Sequence, residues 1–250
     1  MPQHDGYVKA LVELHRGLDR QGPGDNDFSA FILTQIPDLP PAPRIADLGC
    51  GAGAGALILA ETFRSRVKAV DFSHEFLQQL MSRARQRGLQ DFIEIIEGDI
   101  GNLDWRRASI DLIWSEGAAY NITFRGALEA WRPFLAEQGI AVISEMNYFS
   151  DDVPQALEQF MEKAYPDIKT EAGNLALINA CGFETLAVHR LPARAWWENY
   201  YGPLCKKIDA MGDSKDSLMQ AVIEETLEEI NYFRNYEQQY GYTYYIMRVI

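Results

Sequence analysis

The chain has 250 residues, enough for one large α/β domain with an insertion or for two small domains, and with 47% hydrophobic and 12% aromatic residues it should bury a sizeable core. This composition excludes a disordered or fibrous protein. The net charge of −13 repels phosphate backbones and anionic lipid, which argues against nucleic acid and membrane surfaces as partners.

The cysteines and the first residues of the chain indicate the cellular compartment. The three cysteines, Cys50, Cys181 and Cys205, are far apart and form no CxxC pair, so they indicate neither a disulfide framework nor a zinc site. The first residues lack the basic and apolar regions of a signal peptide, and no run approaches the ~18 apolar residues of a membrane span. We therefore expect a cytoplasmic protein.

The first segment, residues 1–43, is predicted to be an amphipathic helix followed by a loop. Apolar residues recur at the spacing of one helix face, at Tyr7, Leu11, Leu14 and Leu18. The helix should end before the turn Gln21-Gly22-Pro23-Gly24.

Residues 44–150 alternate between strand and helix patterns, which predicts a parallel sheet because parallel strands need crossover connections. Strands are expected at 44–48, 67–70, 92–96, 110–114 and 140–144. A helix at 54–63 follows the first strand, and a second is capped by Ser73 and ended by Gly88. One face of a third helix is predicted to carry Ala127, Leu128, Trp131 and Leu135.

Residues 151–250 are predicted to complete the sheet. Helices are expected at 153–164 and 175–181, and strands at 183–191 and 242–250 pair as a long-looped hairpin around a helical, aromatic-rich insertion at about 193–241. A helix face in the insertion is predicted to carry Leu218, Val222, Leu227, Ile230 and Phe233. The whole chain is interpreted as a single domain.

The segment from Ile45 to Gly55 is the most informative, because a strand runs into four glycines and then a helix. Glycines allow a sharp turn and let a polar ligand approach main-chain N–H groups. Gly49, Gly51 and Ala54 satisfy the dinucleotide pattern G-x-G-x-x-G/A, with Asp71 about twenty residues on. Asp47 suits water or a cationic amino group better than a pyrophosphate.

The run Asp47-Leu48-Gly49-Cys50-Gly51-Ala52-Gly53, together with Asp71 and Gly98-Asp99, resembles the class I methyltransferases that use S-adenosylmethionine. The resemblance covers roughly residues 44–146 and implies a three-layer Rossmann-like sheet, mostly parallel, with an antiparallel last strand. It also implies cofactor contacts from three loops. The methionine part would lie on Asp47, Gly49, Cys50 and Gly51, the ribose on Asp71 with Phe72, and the adenine beside Asp99 and Ile100.

A narrower resemblance extends to bacterial small-molecule methyltransferases and implies a small-molecule acceptor. It is carried by the turn Gln21-Gly22-Pro23-Gly24, the run from Leu112 to Ile122 and the Trp-rich insertion. It implies that Gln21, Gly22 and Pro23 cap the cofactor.

Side chains beyond the fourth and fifth strands should lie nearest the transferable methyl group, because ligands gather at the carboxyl ends of parallel strands. Ser115 and Glu116 are predicted to contact the cofactor, and Glu116 is also the first candidate for a catalytic carboxylate. Tyr120 is a second catalytic candidate. Glu145 could serve the reaction or be a structural hydrogen-bond partner.

Most aromatics of the insertion and the last strand are interpreted as core or interface residues, although a few could line an acceptor pocket. They are Trp196, Trp197, Tyr200, Tyr201, Tyr236, Tyr240, Tyr242, Tyr244 and Tyr245. A flat aromatic face of this kind would favour a homodimer. The four histidines form no HxH or HExxH pattern, so no metal site and no histidine base are predicted.

Two alternatives stay open. A nicotinamide-dependent oxidoreductase would share Gly49, Gly51, Ala54 and Asp71, but Asp47 and the pair Gly98-Asp99 count against it. A non-catalytic module that binds S-adenosylmethionine would share the whole cofactor site. The identity of the acceptor and of the methylated atom is not encoded in any motif of the sequence.

Overall fold

The protein is described by a computed structural model covering residues 2–212 and 214–250. One mixed sheet runs in the order β3-β2-β1-β4-β5-β8-β7, and the short β6 pairs with β5. The strands are β1 (Ile45–Leu48), β2 (Val67–Asp71), β3 (Ile93–Glu97), β4 (Ile110–Ser115), β5 (Leu135–Tyr148), β6 (Lys169–Thr170), β7 (Phe183–Arg190) and β8 (Tyr240–Val249).

Ten α-helices surround the sheet in the described part of the chain. They are α1 (Pro2–His15), α2 (Asn26–Leu33), α3 (Ala54–Phe63), α4 (His74–Gln86), α5 (Phe124–Trp131), α6 (Gln155–Ala164), α7 (Glu171–Ala180), α8 (Ala193–Trp196), α9 (Gly202–Met211) and α10 (Ser217–Tyr236). A π-helical turn, Trp197–Tyr201, joins α8 to α9. None of these helices is both long enough and apolar enough to cross a membrane.

The predicted fold class is confirmed. Strands β1 to β5 pair in parallel, whereas β8 is antiparallel to both β5 and β7. Alternate residues of one strand enter opposite layers: Ile45 belongs to one hydrophobic cluster, and Ala46 belongs to the other. The sheet is therefore the middle of three layers.

Short-range features of the sequence explain where helices α3 and α4 begin and end. Helix α3 occupies the predicted residues Ala54–Phe63. The side chain of Ser73 accepts a hydrogen bond from the N–H of Phe76, so it caps α4 as predicted. Gly88, with a φ of 66°, follows the end of α4 in the left-handed conformation.

Four predictions about individual elements are wrong. Leu18 lies beyond the end of α1, and Leu135 begins β5 because the turn containing Pro133 ends the preceding helix. Leu227 is 45% exposed, since Thr226 takes the inward position one turn after Val222. Helix α2, for which no helix was predicted, is capped by Asp25.

Candidate functional site

A cavity of about 800 Å³ opens where β1, β2, β3 and β4 end. Its walls come from the loops after these strands, from the turn at Gln21, and from α1, the π-helical turn and α10. The predicted residues that line it are Gln21, Gly22, Pro23, Asp47, Gly49, Cys50, Gly51, Asp71, Phe72, Asp99, Ile100, Glu116 and Tyr120.

The glycine loop between β1 and α3 forms the floor of the cavity. Gly49, Gly51 and Gly53 all have positive φ, at 77°, 52° and 91°. A Cβ on Gly49 would lie 2.2 Å from the Cβ of Ala118, so neither the φ nor the space admits a side chain there. The sequence pattern of this loop thus reflects a backbone that only glycine fits.

Asp71 ends β2 and binds two neighbouring loops. Its Oδ2 accepts a hydrogen bond from the N–H of Gly51 at 2.8 Å, and its Oδ1 accepts one from the N–H of Ser73 at 2.9 Å. Burial raises the pKa of this carboxyl, although the backbone hydrogen bonds oppose that shift. Each oxygen retains a lone pair that can accept a further hydrogen bond from a ligand hydroxyl.

Asp47, at the end of β1, carries a buried oxygen that lacks a partner. Its Oδ2 makes no hydrogen bond with the described residues, although the side chain lines the cavity. Burial, followed by the nearby charge of Glu116, raises the pKa of this carboxyl well above its usual range. Unsatisfied buried acceptors are rare, so this oxygen marks a place for a hydrogen-bond donor.

The turn at Gln21 is held against the glycine loop. The Oε1 of Gln21 accepts a hydrogen bond from the N–H of Ala52 at 2.7 Å. A Cβ on Gly51 would lie 2.6 Å from that same oxygen, so the contact needs a glycine at position 51. The turn therefore forms a second wall over the loop.

Glu116 is fully engaged by its neighbours. Its Oε2 pairs with Nη1 of Arg20 at 2.5 Å, and its Oε1 accepts hydrogen bonds from Ser29 at 2.7 Å and from Nε1 of Trp114 at 2.9 Å. Arg20 is buried, and its other amino group donates to Asn26 at 2.8 Å. The arrangement holds the Glu116 carboxyl group in one position at the cavity wall, with Arg20 as its cationic partner.

Ser115 is the exception among the predicted site residues, because it does not line the cavity. Its hydroxyl donates to the carbonyl oxygen of Leu48 at 2.8 Å, and the residue has no exposed surface. The reason is the alternation of a strand, which directs successive side chains to opposite faces. Ser115 therefore joins β4 to β1 instead of facing a ligand.

Glu145 is also absent from the cavity lining. The hydroxyl of Tyr165 donates to its Oε1 at 2.5 Å, and its Oε2 has no partner among the described residues. Burial raises the pKa of this carboxyl to about 8. Glu145 therefore contacts Tyr165 outside the cavity, and both of its predicted roles stay predictions.

Four polar side chains that line the cavity were not predicted as cofactor or catalytic residues: Arg20, His15, Tyr200 and Glu229. The position of His15 could have been noticed in the sequence, because this polar residue lies four residues after Leu11 on the apolar face of α1. Tyr200 stood among many aromatics, and Glu229 stood in a helix rich in glutamate. No local pattern separates these two from their neighbours.

The aromatics of the insertion lie mainly in the core. Trp196 is 1% exposed and stacks on Phe233 at 4.2 Å. Tyr200 is the one member of the nine-residue aromatic set that lines the cavity. Because most of the set packs inside the chain, it does not form the flat exposed face behind the homodimer hypothesis, which stays a prediction.

Metal ligands and thiols add no further chemistry to the cavity. Among the described side chains, no three His, Cys, Asp or Glu come close enough to hold a metal ion, while the side chains of His4 and Asp5 lie outside the described set. Cys50 lines the cavity, but burial raises the pKa of its thiol well above the usual range. The protonated thiol acts as a small packing group.

Comparison with known proteins identifies relatives of this core. Residues 45–139 match the family model described as "Methyltransferase domain". Over 105 residues the chain is 34% identical to the ribosomal protein arginine N-methyltransferase rmt3 of Schizosaccharomyces pombe, covering 40% of this chain and 19% of that protein. Over 79 residues it is 33% identical to the glycine/sarcosine/dimethylglycine N-methyltransferase of Actinopolyspora halophila, covering 32% of this chain and 14% of that protein.

The alignments thus span less than a fifth of the length of either curated relative. Among solved structures, the fold is similar to that of a SAM-dependent methyltransferase from Geobacter sulfurreducens in complex with S-adenosyl-L-homocysteine. The TM-score is 0.83 with 17% identity, over 97% of this chain and 98% of that one. At this level of identity the similarity concerns the fold alone.

Proposed function

We propose, from the match of residues 45–139 to the methyltransferase-domain family, that the protein transfers the methyl group of S-adenosylmethionine to a small-molecule acceptor. The resemblance to class I methyltransferases, predicted from the glycine loop, is confirmed by the family match and by the fold. The observation that carries the proposal is one cavity combining this loop with the carboxylates of Asp71 and Asp47.

The residues of the cavity fit the cofactor on two structural grounds. The buried Oδ2 of Asp47 lacks a donor, and a cationic amino group would supply one. Gly49 and Gly51 line the cavity without side chains, so a ligand can lie against the backbone of the loop. The cavity volume also lies in the range of small-molecule sites.

In this proposal three loops divide the cofactor between them. Asp47, Gly49, Cys50 and Gly51 hold the methionine part, and Asp71 accepts hydrogen bonds from the ribose hydroxyls. Phe72 lies beside Asp71 at the ribose, and Asp99 and Ile100 border the adenine. Gln21, Gly22 and Pro23 close the cavity from the other side, supported by the hydrogen bond between Gln21 and Ala52.

S-adenosylmethionine, when bound, supplies a methyl group already activated by the positive sulfur. The chain therefore has to align the acceptor and exclude water rather than activate the methyl group. Arg20, Ser29 and Trp114 already occupy the oxygens of Glu116, so this residue would face the cofactor as a carboxyl group held in one position at the cavity wall. Tyr120, 42% exposed and in edge contact with Tyr165, is positioned at the cavity to contact the acceptor.

Calorimetric titration with S-adenosylhomocysteine and with NADH tests the proposal against the oxidoreductase alternative. We expect the wild-type chain to bind S-adenosylhomocysteine and not NADH. Asp71→Asn should weaken this binding roughly tenfold to hundredfold, because charge-assisted hydrogen bonds from the ribose are lost.

The matched control is Asp91→Asn, which removes a carboxylate from an exposed residue outside the cavity. Tighter binding of NADH would contradict the proposal, as would equal S-adenosylhomocysteine affinities in the two variants. Release of S-adenosylhomocysteine during a screen of metabolites with S-adenosylmethionine would then separate an enzyme from a non-catalytic binding module.

A further inference from the structure

Part of the cavity wall comes from α1, the π-helical turn and α10, and none of its residues is among those assigned to the cofactor. This region of the wall carries His15, Tyr200 and Glu229. Glu229 on α10 lines it and is partly buried. The hydroxyl of Tyr201 donates to its Oε1 at 2.7 Å. In the described part of the chain, no Arg, Lys or His forms an ion pair with Glu229.

Tyr200 and His15 line the same region and are hydrogen-bonded to each other. The Nδ1 of His15 lies 2.8 Å from the carbonyl oxygen of Leu11, which can only accept, so Nδ1 carries a hydrogen. Burial lowers the pKa of His15, which leaves the ring neutral and its Nε2 an acceptor. The hydroxyl of Tyr200, 3.0 Å away, therefore donates to Nε2.

These hydrogen bonds determine which groups of the region remain as donors or acceptors for a ligand. The hydroxyl of Tyr200 donates its hydrogen to His15, so its oxygen can only accept a hydrogen bond from a ligand. Glu229 accepts through its carboxylate, and both nitrogens of His15 are occupied. The polar groups contributed by α1, the π-helical turn and α10 are thus acceptors without a free donor.

The charged side chains that line the whole cavity also favour a positively charged ligand. Five carboxylates line it, at Asp47, Asp71, Asp99, Glu116 and Glu229. Arg20 is the one Arg or Lys among the lining residues, and it is paired with Glu116. A ligand bearing a positive charge would therefore be favoured over a neutral or anionic one of the same shape.

We propose that this region is the acceptor subsite and that it takes a small molecule bearing a protonated amine, whose N–H groups bind the carboxylate of Glu229 and the oxygen of Tyr200. The apolar part of the acceptor packs on Val8, Leu11 and Val12, which line the same region from α1. This assignment rests on the proposed function, because an acceptor subsite presupposes methyl transfer.

The chemistry distinguishes an ammonium group from the alternatives. An ammonium group brings only donors and a charge opposite to that of Glu229. A hydroxyl brings one donor and no charge, and a carboxylate would place two negative groups together. The subsite should therefore rank amine above alcohol above carboxylate on one carbon skeleton.

Calorimetry on the full chain saturated with S-adenosylhomocysteine tests this ranking. The probes are propylamine, benzylamine and cyclohexylamine, each compared with the alcohol and the carboxylate of the same skeleton. We expect at least one amine to bind more tightly than its alcohol, and Glu229→Gln to weaken that amine roughly tenfold to hundredfold. Tyr200→Phe should weaken the same amine by a smaller factor.

The matched control is Glu228→Gln, which makes the same change at the neighbouring, exposed residue of α10. The assignment is overturned if no amine binds more tightly than its alcohol, or if Glu229→Gln and Glu228→Gln bind the amine equally. It is also overturned if saturation with S-adenosylhomocysteine abolishes amine binding, since the region would then belong to the cofactor. Failure of S-adenosylhomocysteine itself to bind would instead contradict the proposed function.

Discussion

Buried carboxylates in this protein differ in their partners, and the partners determine what each can do. Asp71 receives two backbone N–H groups, while Glu116 is matched by a buried guanidinium. Asp47 and Glu229 lack a cationic partner of this kind among the described residues. Asp71 and Glu116 are held in position by these partners, whereas Asp47 and Glu229 are available to a cationic ligand.

Glu145 provides a pH-dependent test at the scale of one residue. Its folded pKa of about 8 lies above the usual 4.5, so the native state holds a proton that the unfolded state releases. Its stabilising contribution is full below the unfolded pKa and is lost as the pH rises through the folded one. Wild type should lose on the order of 4 kcal/mol between about pH 5 and pH 8 from this group.

Urea unfolding of wild type and Glu145→Gln at both pH values measures this contribution, because the glutamine cannot titrate. Glu137→Gln is the control, since residue 137 is an exposed glutamate on the same strand. The free energy of unfolding of Glu145→Gln should fall less with pH than that of the other two proteins. Three parallel pH profiles would show that Glu145 is already ionised in the folded protein.

At the scale of elements, the strand-to-helix connection after β1 requires glycine for two separate reasons. Gly49 has a positive φ, and a Cβ there would also collide with Ala118. Gly88 has a positive φ of 66° but open space around it. The two positions therefore separate the cost of backbone strain from the cost of a collision.

Gly88→Ala should lower the free energy of unfolding by about 1–2 kcal/mol, the cost of placing alanine in the left-handed region, and leave S-adenosylhomocysteine affinity unchanged. Gly49→Ala should lose more stability and also bind S-adenosylhomocysteine more weakly, because the loop and Ala118 must move apart. Urea unfolding and calorimetry check both variants. Equal losses of stability would show that the loop relaxes without cost.

The helical insertion acts on the cavity through its packing. Trp196 stacks on Phe233 and on Tyr242 of β8, which joins the insertion to the sheet. The same helical segment then presents Tyr200 to His15 of α1. The insertion thus brings together residues from both ends of the chain at one wall.

In the whole molecule, the main hydrophobic cluster contains residues from all three predicted segments of the chain. It includes Leu14 from α1, Trp114 from the sheet and Trp196 from the insertion. Residues 1–43, 44–150 and 151–250 are therefore predicted to unfold as one cooperative unit. The core and the insertion should show one thermal transition.

Saturation with S-adenosylhomocysteine at about one hundred times its dissociation constant should stabilise this unit by about 2.7 kcal/mol and raise its Tm by roughly 5–10 °C. Scanning calorimetry with and without the compound measures both effects. Two transitions, only one of which moves, would mean that the insertion unfolds separately from the cofactor-binding core.

Several features followed from the sequence alone because their causes are local. Strand and helix periods indicated the parallel core, the Ser73 side chain capped its helix, and the glycines after β1 marked a turn that side chains cannot occupy. Asp47 and Asp71 could be located because they lie in the carboxyl-terminal parts of strands whose ends meet at one edge of the sheet.

Other features were decided by the tertiary structure, because their causes join residues far apart in the chain. The partner of Glu116 is Arg20, 96 positions away, and that of His15 is Tyr200, 185 positions away. Glu229 looks like its solvent-exposed neighbours until α10 packs beside α1 and places it at the cavity. Local patterns report backbone conformation and burial, whereas the partners of a charge depend on which distant surfaces pack together.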